Sequence, residues 1–167
     1  MLLRRSFVGV GALALATPAL APSSLAHGPG GHVMSGGRYG DAGKVSRTID
    51  VICTDNAFSL KELRVRDGET VRFVVRNDGI DPHELIIGTV AEHAEHRKMM
   101  KDMIEAQKKP GGHAHTMKMD HSSGVWVERG KTESFVWQFK RTPELEFACN
   151  IPGHYEDGMR GPIIFIR

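Results

Sequence analysis

The 167-residue chain sets 22 Lys and Arg against 20 Asp and Glu, so no basic surplus points to a nucleic-acid partner. The apolar stretch Phe7–Ala16 is too short to cross a bilayer and no second one follows it, so no membrane-spanning helix is expected.

Met1–Ala26 reads as an export signal, with basic Arg4 and Arg5, the apolar stretch, and small residues before a cleavage point. Cleavage after Ala21 would leave Pro22 first, which signal peptidases resist; cleavage after Ser24-Leu25-Ala26 leaves His27 and is preferred. Arg4-Arg5 followed by Ser6-Phe7-Val8 resembles a twin-arginine signal, which delivers folded cargo, with an ordinary secretory signal as the alternative. The expected location is periplasmic. Residues 27–167 suffice for one domain with one core.

Residues 27–44 are Gly-rich and are expected to form a flexible lead, with regular structure from Val45. Ile49, Val51 and Cys53 alternate with Thr48 and Asp50 as a half-buried strand. Leu63 and Val65 give a second strand, and Asp67-Gly68 a turn. Val71, Phe73 and Val75 alternate with Arg72 and Arg76, and another strand runs from His83 through Ile87. Thr89–Lys108 interrupts the pattern as a helix, with Thr89 and Glu92 spaced as a capping box and Pro110-Gly111-Gly112 ending it. Met99, Met103 and Ile104 are expected to pack this helix on a sheet. After a loop to Ser123 come strands at 125–128, 134–140, 144–148 and 163–166, with Phe135, Trp137 and Phe139 on one face. About eight short strands separated by turns predict an all-β, Greek-key sandwich over residues 45–167, with one helical, His/Met-rich insert at 89–123.

The run FACNIPGHYEDGM places Cys149, His154 and Met159 at five-residue spacing, and PHEL supplies His83 upstream. One thiolate, two imidazoles and one thioether make the donor set of a type 1 copper site, able to hold both Cu(I) and Cu(II). A strand before Cys149, a turn at Pro152-Gly153 and a strand after Gly161-Pro162 would deliver three donors to one ion. Two cysteines in an exported chain ordinarily suggest a disulfide, but a Cys53–Cys149 bridge would consume the thiolate; Cys53 is expected in the core as a small hydrophobe. The insert offers further donors. His93, His96, Met99, Met100 and Met103 lie on the helix, and His113, His115, Met117, Met119 and His121 in the loop, where flexible His/Met tracts can collect additional copper or silver ions. An exposed His27 could chelate Cu(II) through its α-amino group and imidazole.

Through GETVRFVVRN, PHEL, VWQF and FACNIPGHYEDGMRG the chain resembles the cupredoxins, and most of all the small periplasmic cupredoxins of bacterial copper-tolerance systems. The likeness runs from Thr48 to Arg167. It implies copper ligation by His83, Cys149, His154 and Met159. One residue departs from the pattern: many blue-copper carriers follow the first His with Asn, which helps tie the two ligand loops together, whereas here Glu84 follows.

The sequence argues against an independent enzyme. Multicopper oxidases and nitrite reductases relay electrons through His residues flanking the type 1 Cys, and here the neighbours are Ala148 and Asn150. A dinuclear copper centre needs two cysteines in the loop, and structural zinc favours more thiolates and no Met. The expected function is copper tolerance through copper binding and one-electron chemistry, with a periplasmic redox or copper-handling protein as partner. The alternative is a soluble electron carrier between periplasmic redox partners.

Overall fold

A computed structural model describes residues 35–108 and 123–167 of the chain. In chain order the strands are β1 (Gly37–Tyr39), β2 (Arg47–Thr54), β3 (Ala57–Phe58), β4 (Leu63–Val65), β5 (Thr70–Asn77) and β6 (His83–Thr89). Helix α1 (Val90–Gln107) follows, then β7 (Gly124–Val127), β8 (Thr132–Phe139), β9 (Leu145–Ala148) and β10 (Arg160–Phe165). They build two five-stranded sheets, ordered β1-β8-β5-β2-β3 and β4-β10-β9-β6-β7. This is the all-β sandwich expected from the strand pattern. The two strands beyond the expected eight, β1 and β3, are only three and two residues long.

Alternation decides which faces meet. Val71, Phe73 and Val75 of β5 are buried, as are Phe135, Trp137 and Phe139 of β8. Phe73 and Phe135 are direct antiparallel partners, and their rings stack with centroids 5.0 Å apart. Cys53 lies in this core with no disulfide. Strand β6 is buried on both faces from His83 to Gly88, because α1 covers its outer side.

The lead is shorter than expected. Residues 37–39 pair with β8 and residues 42–44 form a 3-10 turn, so regular structure starts well before Val45. Aromatic packing explains this: Tyr39 sits edge-on to Trp137 at 5.5 Å, and the Trp137 indole N–H donates to the Gly36 carbonyl. The backbone comes so close that a Cβ at Gly37 would lie 2.1 Å from the Gln138 carbonyl oxygen. The rest of that lead, and the export signal before it, lie outside the described residues.

Helix α1 begins where the sequence placed it. The Thr89 side chain accepts from the Glu92 N–H and the Glu92 carboxylate accepts from the Thr89 N–H, a complete capping box. Its packing face differs from the expected one. His93 and Met100 are fully buried, whereas Met99, Met103 and Ile104 are only partly covered. The inward stripe starts at His93, and Met100, two turns on, falls beneath the helix.

Strand β10 changes partner at Pro162. Residues 160–162 pair antiparallel with β9, and residues 163–165 pair parallel with β4. The segment between β9 and β10 therefore leaves and re-enters one sheet at the end where β6 starts.

Candidate metal centre

His83 opens β6, Cys149 follows β9, and His154 lies in the turn between β9 and β10. His83 and Cys149 are buried and His154 is partly exposed. His83 Nδ1 stands 3.2 Å from His154 Nδ1, and His154 Nδ1 stands 3.5 Å from Cys149 Sγ. Two nitrogens each about 2.0 Å from one tetrahedral ion are about 3.3 Å apart, and a sulfur at about 2.3 Å lies slightly farther from either. The donors match one ion in both identity and spacing. Met159, the fourth expected ligand, is fully buried, and its backbone is bound to two of the others: its N–H donates to the His154 carbonyl and its carbonyl accepts from the Cys149 N–H. Gly153, at φ 96°, makes the bend that turns the segment back.

The environment disfavours the charged forms of Cys149 and His83. Burial pushes the Cys149 thiol well above its ordinary value, and the Glu84 carboxylate adds to this; backbone N–H groups of Glu84 and Ile151 oppose it. Burial, then the neighbouring His154, lowers His83, with Asp55 and Asp81 opposing. A neutral imidazole keeps a lone pair for a metal, and a bound cation supplies the charge that stabilises the thiolate.

Glu84 does tie the two ligand loops. It is fully buried, and its Oε1 accepts the Asn150 backbone N–H and the Asn150 side-chain N–H, each at 2.8 Å. That orients the Asn150 amide so that its oxygen faces His93 Nδ1 at 3.0 Å, while His93 Nε2 lies 3.4 Å from the Glu146 carbonyl. Both ring nitrogens of His93 are thus engaged with protein, making it a packing residue and not a metal donor here. His96 stands 3.6 Å from Glu84. Helix α1 also grips the ligand turn directly. The Arg97 guanidinium lies 3.5 Å above the Tyr155 ring, and the Tyr155 O–H donates to Glu146 at 2.6 Å. Arg97 and Tyr155 gave no signal in the sequence, because cation–π pairing joins residues from separate elements.

His83, Cys149 and His154 are the one cluster of three or more His, Cys or acidic residues with metal-binding spacing among the described residues. His27, His113, His115, Met117, Met119 and His121 lie outside those residues.

Comparison with known proteins agrees with this geometry. The sequence model of a family described as "Copper binding proteins, plastocyanin/azurin family" matches residues 47–165. The "Copper-resistant cuproprotein CopI" of Pseudomonas aeruginosa is 38% identical over 163 residues, covering 87% of each chain. The protein of the same name from Rubrivivax gelatinosus is 38% identical over 174 residues, covering 98% of this chain and 96% of its own. Among solved structures, auracyanin B superposes with a TM-score of 0.58 at 18% identity, covering 80% of this chain and 97% of its own. Reduced auracyanin from Roseiflexus castenholzii gives 0.52 at 21%, covering 74% and 99%.

Proposed function

The chain belongs to the plastocyanin/azurin family of copper binding proteins, and from that premise we propose that it serves copper tolerance by holding one copper ion at His83, Cys149, His154 and Met159. The observation that carries the assignment is the spacing of the three donor atoms, 3.2 Å and 3.5 Å, in the soft-plus-borderline donor set that copper prefers. Bound there, copper supplies one-electron chemistry. The chain supplies the rest. Burial of Cys149 keeps water from the thiolate, Glu84 locks the two loops that bear the ligands, and the partly exposed His154 brings one edge of the site to the surface.

Copper tolerance is also the property named in the relatives, which match nearly the whole of this chain. The exposed edge at His154 supports the second reading, electron carriage between periplasmic redox partners. Periplasmic placement rests on the export signal, whose Arg4-Arg5 pair suits the twin-arginine route.

Two measurements test the assignment. The loaded protein should show a strong visible thiolate-to-copper charge-transfer band that Cys149→Ala abolishes; a band persisting in that variant rules the site out. A cell lacking the protein should be copper-sensitive. Normal tolerance combined with a respiratory or other redox defect would favour the carrier instead.

A further inference from the structure

Asp55 lies in the turn between β2 and β3, remote in sequence from all four expected ligands, yet its carboxylate faces one of them. Its Oδ1 stands 3.8 Å from His83 Nε2. The same oxygen accepts the Ile80 N–H at 2.8 Å and the Asp81 N–H at 3.5 Å, so the loop leading into β6 holds the carboxylate in place. Gly79 keeps the space between them open. A Cβ there would stand 2.4 Å from Asp55 Oδ1 and 3.0 Å from His83 Nε2. His83 Nε2 is buried and makes no hydrogen bond within the described residues, while Nδ1 of the same ring points at His154 and the metal space. A neutral imidazole that offers Nδ1 to a metal carries its proton on Nε2, and a buried N–H needs an acceptor. The separation is slightly too long for a hydrogen bond, and a small rotation of ring or carboxylate would close it.

We propose that Asp55 is the positioning residue for His83: its carboxylate accepts the Nε2–H hydrogen bond, fixes Nδ1 as the donor atom, and by its charge favours Cu(II) over Cu(I). The inference rests on His83 being a copper ligand. Outer partners of ligating histidines typically change metal affinity by about 10- to 100-fold. Asp55 is 45% exposed, so solvent screening puts its effect at the low end.

The test compares Asp55→Asn and Asp55→Ala with the parent chain. Asn keeps an oxygen for the Ile80 amide and for Nε2–H but loses the charge; Ala loses both. In Asp55→Asn the charge-transfer band should remain and the Cu(II)-to-Cu(I) affinity ratio should fall about tenfold, read as a rise in reduction potential of about 59 mV. In the metal-free protein, nitrogen NMR of His83 above the histidine titration range should show the Nε2–H tautomer in the parent and in Asp55→Asn, and a mixture in Asp55→Ala. A merely structural role would lower the unfolding temperature without moving potential or tautomer. An unchanged potential in Asp55→Asn, or an unchanged tautomer in Asp55→Ala, would overturn the proposal. Absence of the band in the parent would instead sink the ligand assignment, and the metal-free tautomer comparison would still decide the role of Asp55.

Discussion

One oxygen of Glu84 accepts two hydrogen bonds from Asn150, one from its backbone and one from its side chain, both at 2.8 Å. The residue after His83, the first candidate ligand, is thereby fastened to the residue after Cys149. An Asn at position 84 could offer one amide oxygen there; a carboxylate does the same and brings a charge into contact with helix α1 through His96.

Glu84→Ala should strand the Asn150 donors in a buried setting and cost about 1–3 kcal/mol. Glu84→Gln keeps an acceptor oxygen and should lose clearly less. Chemical denaturation of the metal-free protein measures both. Equal losses would mean that the charge, and not the acceptor, holds the loops.

Met159→Leu conserves volume in a fully buried position, so it should cost less than about 1.5 kcal/mol. It removes the thioether, so the charge-transfer band should survive while the reduction potential shifts upward. An unmoved potential would take Met159 out of the ligand set.

Cys53 is buried and free, with burial and then Asp78 pushing its thiol up to about 12. In the folded protein it should resist alkylation at pH 8, and the unfolded, metal-free chain should yield two reactive thiols. Mass spectrometry finding a native Cys53–Cys149 disulfide would contradict both this and the copper site.

Burial opposes ionisation of Glu92, but N–H and O–H donors from Thr89 and Ser35 outweigh it and hold its carboxyl below the usual range. A carboxyl lowered in the fold stabilises it above the unfolded value of about 4.3, and that contribution fades as pH drops through the folded value. Glu92→Gln should therefore cost about 0.3–1 kcal/mol at pH 7 and progressively less in acid. Thr89→Ala should cost about 1 kcal/mol at neutral pH. Thermal unfolding across pH checks both; a constant gap for Glu92→Gln would deny the charge any part.

The candidate donor residues and most strands were legible because their signals are local. Cys149, His154 and Met159 share one turn, and residues such as Val71, Phe73 and Val75 alternate within a single strand. The capping box of α1 is likewise four adjacent positions. What escaped depends on partners distant in the chain. Strand β1 has no periodicity of its own and exists because Tyr39 and Gly36 meet Trp137. The buried face of α1 centres on Met100 instead of Met99, since His93, His96 and Arg97 occupy much of it and hydrophobicity alone does not mark it. Asp55 belongs to the same class, as only the fold brings it to His83.

The partner change of β10 also bears on how firmly the candidate ligand turn is held. Cys149, His154 and Met159 precede β10, and that strand fills the gap between β4 and β9. His83 lies far ahead of Cys149 in the chain, so only the paired β6 and β9 bring the two together. Without residues 160–165 the facing edges of β4 and β9 would be unpaired, and the candidate ligand turn would be anchored at its β9 end alone. Loss of the β10 pairing should therefore weaken copper binding even though all four candidate donor residues remain.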